Sequence, residues 1–190
     1  DHISKSSTAA HQSDHIFKAC GTPVFFPANV QEILDLGIHA FAMSRFSGVW
    51  AGMKTIQEIV ESSSTAMIDP ERIDIKIPDF QMPPGGVHIR WPDTALEQEA
   101  RLFDYKWYAA LAYNRADRLN YNAIEGPNDR LGIIARGKAY NDTLLALRAL
   151  RLDDPARRRI GTSQPQVSVA RPRESTRPRP RCQSRSPACG

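Results

Sequence analysis

Apolar positions along this chain change rhythm several times, and each change marks an element. Val30, Ile33, Leu34, Gly37, Ile38 and Phe41 recur at the i, i+3, i+4, i+7 spacing of a helix with one buried face. Asn29 stands at the N-cap and Glu32 three residues on, as in a capping box. The spacing predicts a helix from Asn29 to about Phe46, stopped by the breaker pair Ser47-Gly48, with Asp35 and His39 on its other side. Ahead of it, Pro23 to Phe26 is an apolar run of strand type closed by Pro27. A short helix from His11 to Cys20 precedes that run, and Gly21 sits where it would stop. Val49 to Met53 is a second apolar run, either strand or a continuation of helix to Val60. Strand is preferred, because a strand–helix–strand unit lays it parallel to the first run in one sheet. Thr55 to Glu61 then reads as a short helix and Ser64 to Asp69 as another strand.

Residues 70–94 differ in character. Ile73, Ile75 and Ile77 alternate with polar residues, as do Val87, Ile89 and Trp91, around a Pro- and Gly-rich centre. This predicts a two-stranded insertion or an extended excursion over the surface. Thr94 with Glu97 forms a second capping box. Leu96, Ala100, Phe103, Trp107 and Leu111 then stripe a helix reaching about Leu119. Residues 122–129 look like a linker, Leu131 to Ala135 a strand, and Ala139 to Leu150 a helix with Tyr140, Leu144 and Leu147 on one face. The expected class is α/β with a largely parallel sheet, in which ligands sit at the carboxyl ends of strands.

Composition changes the picture at one end. From Arg157 the chain turns to Arg, Pro, Ser and Gln with no aromatic residue, which predicts a disordered tail. Such a tail is either an Arg-rich arm for nucleic acid or a non-native end from out-of-frame translation, and the second is preferred. Residues 151–190 hold ten Arg against Asp153, Asp154 and Glu174, so the net +4 leaves the first 150 residues at −3. A basic nucleic-acid surface on the folded part is not expected.

With 41% hydrophobic residues the 190-residue chain suits a soluble globular fold. It shows neither an apolar run of membrane-spanning length nor a secretory signal. Cys20, Cys182 and Cys189 form no C-x-x-C pair, so a reducing, cytoplasmic setting is expected. The opening at Asp1 without a Met reads as a fragment or processed piece.

Three motifs invite chemistry and are better explained otherwise. His11 and His15 have the i, i+4 spacing of helical zinc sites, but Gln12 replaces the usual glutamate and no third ligand is evident. Gly132-x-x-x-x-Gly137-Lys138 nearly matches a phosphate-binding loop, yet Ala139 stands where Ser or Thr is required and residues 133–136 look like strand. Cys20, beside Ala19 with no oxyanion-hole signature, reads as a buried structural thiol. Ser44 and Arg45 read as a solvated helix face.

The segments SKSSTAAHQSDH, GTPVFFPANVQEILDLGIHAFAMSRFSGVWAGMKTIQEIVESS and DRLGIIARGKAYNDTLLALRAL, in that order, resemble bacterial indolepyruvate ferredoxin oxidoreductase. The resemblance covers roughly residues 1–155; beyond Arg157 only a faint echo around VSVARPREST remains. It implies a thiamine-diphosphate-dependent 2-oxoacid:ferredoxin oxidoreductase. Residues 1–121 would be part of the pyrimidine-type cofactor domain with an insertion at about 70–94, residues 122–130 a linker, 131–156 the start of a further α/β domain, and 157–190 the tail. The implied reaction is oxidative decarboxylation of an aryl 2-oxoacid to acyl-CoA and CO₂, with coenzyme A and ferredoxin. Thiamine diphosphate, Mg²⁺ and iron–sulfur clusters belong to the complete enzyme, and this chain alone is expected to bind none tightly. The family's glutamate that contacts the cofactor ring has no counterpart here, so no catalytic residue is assigned. The resemblance places Ser6, Ser7, Thr8, His11 and Gln12 at the border of the 2-oxoacid and cofactor cleft, where hydroxyls, an amide and an imidazole suit a substrate carboxylate. Remaining domains or subunits, ferredoxin and a homo-oligomeric complete enzyme are the implied partners; membrane and nucleic acid are not.

Overall fold

A computed structural model describes residues 12–69, 71–126, 129–152 and 160–168. The first unit is the strand–helix–strand anticipated from the apolar runs. Strand β1 (Val24–Phe25) leads into helix α2 (Val30–Ser47), and β2 (Gly52–Met53) returns parallel to β1, with Val24 opposite Gly52. Before β1 stands the six-residue helix α1 (Asp14–Ala19), and after β2 the single turn α3 (Gln57–Val60). The Asn29 side chain caps α2 by accepting from the Glu32 N–H at 2.9 Å. Glu32 does not close the box on Asn29. Its Oε2 accepts from the Ala28 N–H at 2.8 Å, one residue further out. Gly48, at φ 71°, ends α2 in the left-handed region that glycine enters without a Cβ clash.

Helix α2 turns a different face inward from the one its apolar spacing predicts. Leu36, Met43 and Ser47 are buried, with Ala40, Ala42 and Phe46 packed beside them, while Leu34, Ile38 and Phe41 are exposed. Apolar residues occupy both sides of this helix, so periodicity alone could not choose between them. The chosen side meets helix α5 (Trp107–Ala116) and strand β1 in one core of Phe25, Leu36, Met43, Val49, Trp107, Ala110, Tyr113, Leu119 and Val167. Helix α4 (Ala95–Arg101) carries the complete Thr94–Glu97 capping box and runs into α5 through a π-helical turn, Leu102–Lys106. The helix ends at Ala116, short of Leu119, and Leu96 at its start is exposed. The widened turn shifts the buried face, so Trp107, Ala110 and Tyr113 carry the packing.

The largely parallel sheet is corrected to two small mixed sheets. Strands β3 (Asn120–Ile124), β4 (Leu131–Ile134), β5 (Ile160–Pro165) and β6 (Val167–Ser168) complete them, in the orders β2-β1-β6 and β3-β5-β4. Among the described strands only β1/β2 and β4/β5 are parallel; β6 on β1 and β5 on β3 are antiparallel. Residues 122–124 therefore belong to a strand rather than to a linker.

The disordered tail from Arg157 is corrected over residues 160–168. Low apolar content argues against a self-sufficient core, but these residues join existing strands and exchange backbone hydrogen bonds. Gln164, fully buried, donates to Glu32 Oε1 at 3.0 Å and accepts from Tyr121 Oη at 2.7 Å. Asn120 holds both the N–H and the carbonyl of Val167 at 2.9 Å. The remaining tail lies outside the described residues.

The expected strand at Ser64–Asp69 is absent: that stretch is irregular and mostly exposed. Residues 71–94 form no strand either, so of the two sequence readings the extended excursion describes them. Helix α6 (Lys138–Ala149) follows β4 as anticipated, with Leu147 buried and Tyr140 and Leu144 half-buried on one face.

Candidate functional site

Of the loop residues assigned by resemblance, Ser6, Ser7, Thr8 and His11 lie outside the described residues. Gln12 is described and exposed, and leads through Ser13 into α1. His15 is exposed on that helix. Cys20, expected to be buried, is exposed, because α1 buries none of its residues and Cys20 only caps its end.

A charged cluster forms where strands end. Parallel pairing of β1 and β2 puts Phe26 and Lys54, the next residue after each, at the same sheet edge. Arg136 lies in the turn between β4 and α6. Lys54, only 8% exposed, donates through Nζ to Asp14 Oδ2 at 2.5 Å, and Arg136 donates to Asp14 Oδ1 at 2.7 Å. The Phe26 ring lies under both cations, 4.6 Å from Lys54 Nζ and 5.3 Å from the Arg136 guanidinium carbon. Gly137, at φ 57°, lets the chain pass over that ring; a Cβ there would lie 2.8 Å from it. Burial alone would raise the Asp14 carboxyl, but the hydrogen bonds and charges of Lys54 and Arg136 outweigh it and hold the group below its usual value.

A second polar site is a cleft of about 320 Å³ between α2, the 72–76 stretch and the end of α5, lined by Asp35, His39, Arg72, Lys76, Asp117 and Arg118 among others. His39 Nδ1 and Tyr113 Oη are hydrogen-bonded at 3.0 Å. Burial lowers the His39 pKa against the opposing charge of Asp117, so the ring is neutral at physiological pH. Burial also raises the Tyr113 hydroxyl, helped by the Asp117 charge. Asp35 pairs with Arg72, and Asp117 Oδ1 accepts the Lys76 N–H at 2.9 Å, pinning the excursion to α5. The cleft therefore offers hydrogen bonding from an imidazole beside the Asp35–Arg72 ion pair and the Asp117 carboxylate.

Sequence reading placed Asp35 and His39 on one helix side but singled out none of Asp14, Lys54, Arg136, Tyr113 or Asp117. The usable signal was position: Lys54 directly follows a predicted strand, and Arg136 follows another within two residues.

Among the described residues, no group of three His, Cys, Asp or Glu could hold a metal ion, and no helix is long and apolar enough to cross a membrane. Lys138, in the near-match to a phosphate loop, is paired with Asp142 at 2.7 Å, and Ile133 lies in β4.

Residues 120–185 match the family model of the indolepyruvate ferredoxin oxidoreductase middle domain. The matched stretch begins at β3, takes in β4, α6, β5 and β6, and continues past Arg157 across the segment whose composition reads as a departure from that family. The match is confined to this stretch and covers part of one domain. No curated protein and no solved structure matches the chain.

Proposed function

We propose that this chain is a piece of a 2-oxoacid:ferredoxin oxidoreductase of the indolepyruvate type and forms one wall of a cleft completed by other parts of the enzyme. The observation that carries this reading is the middle-domain match over residues 120–185. Its strands are interleaved with those of the earlier segments: β6 extends the β1–β2 sheet, and Asn141 donates to the Ala28 carbonyl at 2.8 Å. In the proposal, residues before Asn120 belong to the pyrimidine-type cofactor domain, and the next α/β unit starts at β3. Ser6, Ser7, Thr8, His11 and Gln12 remain the proposed border of the substrate cleft.

The donor set of the described residues does not fit the cofactors by itself. Its single cysteine, Cys20, cannot ligate an iron–sulfur cluster, which takes several thiolates. The groups that carry electrons and carbanion chemistry are assigned to the rest of the enzyme, with ferredoxin as acceptor and a cytoplasmic setting. This chain's share is orientation, charge and exclusion of water.

Two measurements test the reading. The isolated chain, given indolepyruvate, coenzyme A, thiamine diphosphate, Mg²⁺ and an electron acceptor, should show no decarboxylation; turnover would refute its dependence on other parts. A chimera in which residues 12–168 replace the corresponding segment of an intact indolepyruvate ferredoxin oxidoreductase should keep activity. A folded but inactive chimera would count against membership.

A further inference from the structure

The placement of Lys54 calls for an explanation beyond holding a short helix. An ammonium at 8% exposure has given up most of its water, which costs several kcal/mol unless close anions replace it. One ion-pair partner is Asp14 on α1, a helix of six residues that buries none of its side chains. Arg136, from a segment 122 residues away in sequence, reaches the other oxygen of the same carboxylate. One cation per oxygen, with an aromatic floor, is the arrangement that receives a planar carboxylate. It stands at the carboxyl ends of parallel strands, where α/β sheets place ligands.

We propose that Lys54 and Arg136, over Phe26, form a receptor for a small carboxylate-bearing molecule, and that the Asp14 side chain occupies it as an internal stand-in when the ligand is absent. Asp14 already shows that the receptor accepts a carboxylate at hydrogen-bonding distance from both cations. The receptor stands on this geometry alone; its assignment to a 2-oxoacid rests on the oxidoreductase reading above.

The test is binding by calorimetry to the full chain and three variants, with phenylpyruvate, phenylacetate and inorganic phosphate as probes. Asp14→Asn removes the competing charge while keeping the shape, and should tighten both carboxylates by about tenfold, because the receptor no longer spends most of its time self-occupied. Lys54→Met, which keeps the buried stem, and Arg136→Gln should each weaken them by at least about tenfold. Circular dichroism identifies the variants that remain folded; should Lys54→Met unfold, Arg136→Gln carries the same test. A folded Asp14→Asn variant that binds carboxylates no better than the parent would overturn the stand-in. Phosphate bound as tightly as the carboxylates would overturn the ligand class. Phenylpyruvate preferred over phenylacetate supports both the receptor and the 2-oxoacid reading, whereas equal binding supports the receptor and removes its support from that reading.

Discussion

Trp107 donates its indole N–H to the carbonyl of Gly21 at 2.7 Å, and its ring fills the space that a Gly21 side chain would need. A Cβ at Gly21 would lie 2.4 Å from Trp107 Nε1, and Gly21 sits at φ 66°. This contact fastens the end of α1 and the start of β1 to the long helix that forms the far side of the core. Gly21→Ala meets both a clash and a backbone penalty, so unfolding in urea should show a loss of about 2–4 kcal/mol. A loss below about 0.5 kcal/mol, within the usual scatter of surface changes, would show that the approach is not tight.

Protection of residues 160–168 is the second expectation. Strand β5 lies between β3 and β4, and Phe26 donates its N–H to the Gln166 carbonyl at 2.9 Å. Amide exchange of Thr162 and Gln164 should therefore be slow, close to that of the core helix α5. Truncation after Leu152 should lose the β3–β4 sheet and strip β6 from β1, lowering the midpoint of thermal unfolding. Rapid exchange at 162–164, or a truncated chain as stable as the full one, would show that these pairings do not form.

Acid should weaken the fold through His39. Its pKa is held below the ordinary 6.5 by burial. Below pH 6.5 the unfolded chain takes up a proton that the folded imidazole refuses, so stability falls until the pH passes the lowered value and then levels off for this group. At higher pH both states are neutral and His39 adds no pH dependence. His39→Gln keeps a polar group beside Tyr113 without the titration. The stability difference between parent and variant should shrink on going from about pH 7.5 to about pH 5.5. A difference that is flat or grows over this range would contradict a depressed pKa, as would an imidazole titrating above 6.5 by NMR.

Caps and breakers were legible because they act over three or four residues: Asn29 with Glu32, Thr94 with Glu97, and Gly48 all mark helix ends. The inward face of α2 was not, because Leu34, Ile38 and Phe41 compete with Leu36, Ala40 and Met43 and only tertiary packing decides. Strand β5 was hidden for the opposite reason. Thr162 and Gln164 are buried polar residues, held by ladder and side-chain hydrogen bonds that composition does not report. The Asp14–Lys54–Arg136 cluster joins residues 40 and 122 positions apart, beyond any local pattern. The rule that ligands gather at strand ends bears on Lys54 and Arg136, which follow strands, whereas Ser6, Ser7, Thr8, His11 and Gln12 rest on the resemblance.

Glu32 joins these two levels, and its coupling to Gln164 can be measured. Its Oε2 takes the N–H of Ala28, which is fully buried, and its Oε1 takes the Gln164 amide from strand β5. Asn29→Ala removes one helix cap and should cost about 1 kcal/mol. Glu32→Ala leaves the Ala28 N–H and the Gln164 amide unpaired together and should cost more, about 2–3 kcal/mol. Gln164→Ala alone should cost a similar amount, having lost Glu32 and Tyr121 as partners. The double variant should fall short of the sum by about 0.5–2 kcal/mol, because each single change already breaks the shared bond. Additive losses would mean that strand β5 and helix α2 are stabilised independently, which the 3.0 Å contact between them contradicts.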